Sequence, residues 1–184
     1  MKAAKKETFL NSRAAGETSS ARMTPGQMRE IVSHWYEDVL SGTVPKPGHS
    51  RSGVWDESDD DLARLFSADY VNHVVPAPAG GWKRGAAAAV QIIRMYRLSY
   101  PDLTISIDEQ LVSGDRVITR YTAEGTHTAR AFLNVAATSK HYRISGIAID
   151  RIENGRIAES WGLWDMCSLL MQMGLIPFNA QSID

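Results

Sequence analysis

The segment from Ser145 to Asp165 constrains this chain more than any other part of it. It reads as strand, tight turn, strand. Asn154-Gly155 supplies the turn, because both residue types accept the positive φ that a short hairpin demands. A strand has a period of two, so Ile157, Glu159, Trp161, Leu163 and Asp165 are expected on one face. That face carries two apolar residues and a tryptophan, and it ends in a carboxylate. Such a surface suits a small-molecule site with a tuned acid. The competing expectation is that Asp165 caps the helix that follows and that Trp161 is ordinary core.

The rest of the chain sorts into helices first and strands afterwards. Residues 1–23 are small and polar without a clear period and are expected to form a mobile tail. Thr24 is an expected N-cap with Pro25 at the first helical position. The helix it opens should run to about Leu40, with Met28, Ile31, Val32, Trp35, Val39 and Leu40 on one stripe. Gly42, Pro45, Pro47, Gly48 and Gly53 punctuate a long loop, and 43–58 is expected to be an insertion or a lid. Asp59, Asp60 and Asp61 precede a short helix over Leu62–Phe66, where acids suit the helix N-terminus. A short strand is expected over Tyr70–Val75 and a second amphipathic helix over Gly85–Tyr100, ended by Pro101. Strands then follow over about Leu103–Leu111, Arg116–Thr126, Ala131–Leu133, His141–Arg151 and Arg156–Asp165, with a last helix over Cys167–Gly174. That order predicts one α+β domain over 24–184, with helices packed on one face of a curved, mostly antiparallel sheet.

Composition narrows the function classes. The chain has 184 residues, 43% hydrophobic and 22% charged, which suits a single globular domain with a real core. A net charge of -1 gives no reason to expect nucleic acid or an anionic membrane as partner. Cys167 is the single cysteine, so no intrachain disulfide can form. No apolar run approaches the ~20 residues of a membrane span. Lys2, Lys5 and Lys6 are followed by polar residues rather than an apolar segment, which argues against a signal peptide. A cytoplasmic protein is the expectation.

Few residues here can carry chemistry. Asn72-His73 lies on the short strand before Pro76. His73 could orient a substrate carbonyl or act as a base, or it could be a structural histidine at a strand end. His127 ends a long strand and could face the open end of the sheet or the surface. His34, His49 and His141 read as helix surface, loop and exposed strand. No metal-ligand spacing such as His-x-x-x-His occurs. There is no glycine-rich phosphate loop and no G-x-S-x-G elbow. Trp55 and Trp82 fall in loops, where aromatic side chains often touch ligand.

Several short stretches then line up in one order. They are Leu65-Phe66-Ser67-Ala68-Asp69-Tyr70-Val71-Asn72-His73, Tyr100-Pro101-Asp102-Leu103, Gly114-Asp115-Arg116-Val117, Gly125-Thr126-His127 and the hairpin Ser145–Asp165. In that order the chain resembles the SnoaL-like polyketide cyclases of the nuclear transport factor 2-like superfamily, over residues 24–175. The resemblance implies a cone: a curved antiparallel sheet wrapped by helices around a central pocket. It implies an intramolecular aldol closure of a small apolar or aromatic carbonyl or ester substrate, with no metal or cofactor. It places the general acid/base at Asp165, with Trp161, His73, Asn72 and His127 as substrate-binding residues. A buried carboxyl held neutral can protonate a carbonyl oxygen as the new bond forms. The chain departs from the family in having Ser160 where a histidine often precedes the tryptophan. Other expectations remain open. One is a hydrolase or isomerase on the same fold, to whose acid-arginine set Arg120, Arg143, Arg151 and Asp165 could supply pieces, though no spacing singles out a triad. Another is a binding module that holds a small ligand without turning it over. Strands 116–126 and 141–151 would pair two copies as a homodimer or higher homo-oligomer.

Overall fold

The computed structural model describes residues 23–41, 60–75, 77–129 and 134–177. The tail before Met23, the insertion 43–58 and the strand expected at Ala131–Leu133 lie outside the described residues, as do His49 and Trp55. In chain order the elements are α1 (Pro25–Ser33), a π-helical segment (His34–Leu40), α2 (Asp60–Leu65), β1 (Phe66–Asn72), α3 (Ala86–Ser99), β2 (Thr104–Ser113), β3 (Arg116–Thr126), β4 (His141–Glu153), β5 (Arg156–Trp164) and α4 (Met166–Gln172). The five strands form one curved sheet, not closed into a barrel, in the order β1-β5-β4-β3-β2. β1 runs parallel to β5, and every other pairing is antiparallel. This is the α+β arrangement that the order of elements predicted.

The first helix begins as the sequence implies. The Thr24 hydroxyl accepts from the Gln27 amide at 3.3 Å, and the Gln27 side chain accepts from the Thr24 amide at 3.0 Å. This reciprocal pair satisfies two amides that the first turn would otherwise leave without partners. The apolar stripe from Met28 to Leu40 is buried against the sheet. The helix then widens into π winding, a form that recurs at functional sites. Its end is tied down twice. Arg97 donates to the carbonyls of Val39, Leu40 and Ser41 at 2.7, 3.3 and 2.7 Å. The Ser41 hydroxyl donates to the Tyr36 carbonyl at 2.7 Å and accepts from the Ile105 amide at 2.7 Å. Tyr36 is therefore held from both α3 and β2.

Strict alternation along β4 turns Tyr142, Ile144, Gly146, Ala148, Asp150 and Ile152 toward the helices, all buried. Gly146 is required by close approach. A Cβ there would lie 2.4 Å from the Tyr121 ring of the neighbouring strand. The β4–β5 turn has φ of 49° at Asn154 and 76° at Gly155, as the Asn-Gly pair predicted. Just beyond it the pairing slips. Ile152 faces Ile157, yet Arg151 faces Glu159, so Ala158 is an extra residue on β5. Ile157 and Ala158 are both buried, and past the bulge the inward residues are Ser160, Gly162 and Trp164.

Replacing Gly146 by alanine should push the Tyr121 ring out of place. Overpacking of this kind costs ~1–3 kcal/mol. Urea unfolding of Gly146→Ala against the parent should show that loss; an unchanged midpoint would mean that Tyr121 moves without cost.

Candidate functional site

Sheet and helices enclose a cavity of about 90 Å³ that opens to solvent at its mouth. Its walls are mostly aromatic and aliphatic: Trp35, Tyr36, Tyr70, Trp82, Tyr96, Tyr121 and Trp164, with Ile92, Ile105 and Ile144. Trp82 is fixed by a hydrogen bond from its indole Nε1 to the Val74 carbonyl at 2.8 Å. The polar groups on the wall are few. They are the hydroxyls of Ser160, Tyr36, Tyr70, Tyr96 and Tyr121, together with Asn72.

Behind two of these hydroxyls lies a carboxyl group. Asp150 is 0% exposed. Ser160 Oγ is 2.5 Å from its Oδ1, and the Tyr36 hydroxyl donates to its Oδ2 at 3.3 Å. The Tyr70 side chain lines the same wall as Ser160. The strands dictate this meeting, because Asp150 and Ser160 are cross-strand partners and Asn72 on β1 faces Ser160 from the other side. Burial pushes the Asp150 carboxyl up to about 7, and the Ser160 and Tyr36 hydrogen bonds oppose that push. Burial also raises the phenols of Tyr36, Tyr70 and Tyr121, the last to about 12. At neutral pH the cluster therefore holds one carboxyl poised near half-ionisation among hydroxyls that stay protonated.

The residues expected at the site divide. Asn72 is 6% exposed and lines the cavity beside Ser160. His73 and Trp161 come together, but on the outer side of the sheet. Their rings stack at 4.8 Å with 7° between planes, and the Arg116 guanidinium lies 5.0 Å from the Trp161 ring centre. His73 Nε2 lies 2.9 Å from Glu159, which Arg151 also binds at 2.8 Å. The His73 hydrogen bond, followed by that of Arg151, holds the Glu159 carboxyl below the usual range. His127 is 0% exposed and sits away from the cavity, tilted against Tyr100 at 5.5 Å. Its Nδ1 is 3.2 Å from the Thr138 hydroxyl.

Asp165 requires a correction. It is exposed and caps α4, accepting from the Ser168 hydroxyl at 2.5 Å and the Ser168 amide at 2.9 Å. Those bonds hold its carboxyl below the usual range, the opposite of what a neutral acid needs. The physical reason is the bulge at Ala158, which reverses the phase of β5. Ile157 faces in, whereas Glu159, Trp161 and Leu163 face out. The carboxyl with the expected property is Asp150. The sequence did carry a signal for it: an aspartate in the middle of a long strand, in phase with Tyr142, Ile144, Ala148 and Ile152.

The SnoaL-like polyketide cyclase family model matches residues 50–173, about two thirds of the chain. The chain belongs to this family. Its fold agrees. TsrD from Streptomyces laurentii superposes with a TM-score of 0.67 at 21% identity, over 84% of this chain and 100% of that one. IdmH from Streptomyces antibioticus gives 0.52 at 26% identity, over 62% and 85%. A protein of ketosteroid isomerase-like fold from Catenulispora acidiphila, solved with trimethylamine, gives 0.54 at 18% identity, over 84% and 96%. No curated protein matches the chain. The SnoaL-like family binds small-molecule substrates. Among the described residues no group of three or more His, Cys, Asp or Glu is placed to hold a metal ion, and no helix is long and apolar enough to cross a membrane.

The raised Asp150 carboxyl has a sign that stability measurements can read. Folding favours the neutral form, so its burial costs nothing below the unfolded value near 3.8. The cost grows as pH rises from about 4 through about 7 and is constant above, on the order of 4 kcal/mol in full. Urea unfolding across that window should show the parent losing stability relative to Asp150→Asn. Parallel profiles for the two proteins would contradict it.

Proposed function

We propose that this SnoaL-like protein is a cyclase that performs cofactor-free, aldol-type acid/base chemistry on a carbonyl or ester substrate held in the aromatic cavity. One observation carries the proposal: a fully buried carboxyl, pushed up to about 7, that bonds two hydroxyls of the cavity wall. A group poised at the working pH serves both halves of such a reaction. In its ionised form Asp150 takes a proton from the carbon α to a carbonyl, by way of the Ser160 hydroxyl. The carbanion adds to a second carbonyl of the same molecule and leaves an alkoxide. The neutral acid returns the proton to that oxygen, so the ring closes with no net consumption of a co-reactant. The Tyr70 and Tyr121 phenols, kept protonated by burial, stabilise the developing oxyanion. The flat aromatic walls at Trp35, Trp82 and Trp164 favour a planar, conjugated substrate. Asn72, beside Ser160, orients its polar end.

The same apolar lining favours a second reading, a module that holds such a ligand without turnover. Turnover separates the two. A panel of β-keto and aromatic polyketide methyl esters should undergo α-proton exchange or ring closure, followed by NMR in deuterated water. Asp150→Asn should reduce the rate by about 10²–10⁴-fold. Asp165→Asn, which keeps a good capping residue, should leave the rate and the fold nearly unchanged. Equal loss in both variants, with both folded, would return the role to Asp165. Binding without turnover across the panel would favour the holding module.

A further inference from the structure

Asp150 does not itself reach the cavity; it touches the lining only through hydroxyl groups. Whatever a ligand senses of its proton must therefore come through Ser160 or Tyr36. Counting donors shows what that is. With Asp150 ionised, the carboxylate accepts the protons of both Ser160 and Tyr36. Both protons point inward, and the Ser160 oxygen presents only lone pairs to the cavity. With Asp150 neutral, the cluster holds one more proton. It belongs on the closer contact, between Oδ1 and Ser160 at 2.5 Å rather than toward Tyr36 at 3.3 Å. Ser160 then accepts, and its own proton has to turn away from the carboxyl. The turned proton lies on the cavity side, which Ser160 lines.

We propose that Ser160 sets which oxygen the cavity can hold: a carbonyl oxygen when Asp150 is protonated, and a hydroxyl, as in an enol or phenol, when Asp150 is ionised. This rests on the reading of the cavity as a site for carbonyl compounds. It makes Ser160 the group through which the ligand reads the charge of Asp150. The titratable groups facing Asp150 are Tyr36 from the π-helical segment, Tyr70 from β1 and Tyr121 from β3. Each stays protonated through the range in which the carboxyl titrates, so the carboxyl alone drives the change. In the aldol closure proposed above, Asp150 is neutral when the electrophilic carbonyl has to be held, and ionised again once that oxygen has become the product hydroxyl.

The test needs no turnover. 9-Fluorenone and 9-fluorenol share one flat shape, and neither titrates in the relevant range. The first has only an acceptor; the second can donate. Calorimetric binding of each to the full chain, from about pH 5 to about pH 9, should separate them. The ketone should weaken about tenfold across the range, the worth of one hydrogen bond. The alcohol should hold its affinity or gain. Ser160→Ala should flatten the ketone profile, and Ser160→Thr should restore it. Loss of affinity at every pH with the slope intact would mark Ser160 as merely structural and overturn the inference. Parallel profiles for the two ligands on the parent protein would overturn it without any variant, while leaving the cavity reading in place. Absence of binding by either ligand at any pH would overturn both.

Discussion

Where β5 passes Ala158 it carries one residue more than β4 opposite, and the strand reverses its phase. What β5 brings to the site follows from that reversal. Ser160 turns inward to meet Asp150, and Trp164 turns inward to wall the cavity. Trp161 and Asp165 are sent to the other side. A regular strand would bring Asp165 and Trp161 inward and leave Asp150 with no hydroxyl from β5. Bulges concentrate beside active sites because they re-aim side chains in this way without breaking the sheet.

The buried acid is costly, and the surroundings show how the cost is held down. An isolated carboxylate in an apolar interior would be prohibitive. Here the group can stay neutral, and Ser160 and Tyr36 satisfy its oxygens when it ionises. Tyr36 reaches it only because the helix relaxes to π winding and is pinned at its end by Arg97 and Ser41. Gly146 leaves room for Tyr121 to stack on Tyr36 at 5.6 Å. A sequence optimised only for stability would place an apolar residue at position 150. A buried aspartate held by such supports fits the proposed role, in which stability is traded for chemistry.

Much of the fold was legible in residue types. Thr24-Pro25, Asn154-Gly155 and Pro101 mark boundaries through local backbone chemistry, and the structure places element ends close to them. The strand bounds over Arg116–Thr126 agree residue for residue. The site was less legible for one reason. Period-two reasoning assumes an unbroken ladder, and nothing in Ile157-Ala158-Glu159 announces an extra residue, since both Ile157 and Ala158 can be buried. The shift carries through every later residue of β5, so Trp161 lies on the face opposite to the one an unbroken period of two implies. Asn72 escaped because it lies on a different strand. β4 has no bulge before Arg151, so the same reasoning applied there does point to Asp150. His73 and His127 show a second limit: a histidine at a strand end says nothing about which side of the sheet it takes.

The central claim is that Asp150, not Asp165, is the carboxyl that changes charge near neutral pH. Carboxyl ¹³C NMR on protein labelled at aspartate, with Asp150→Asn and Asp165→Asn used for assignment, observes it directly. A midpoint at about 7 for Asp150, with Asp165 titrating below the usual carboxylate range, is the predicted result. An Asp150 resonance already fully ionised at about pH 5, where an ordinary aspartate has lost its proton, would contradict the account.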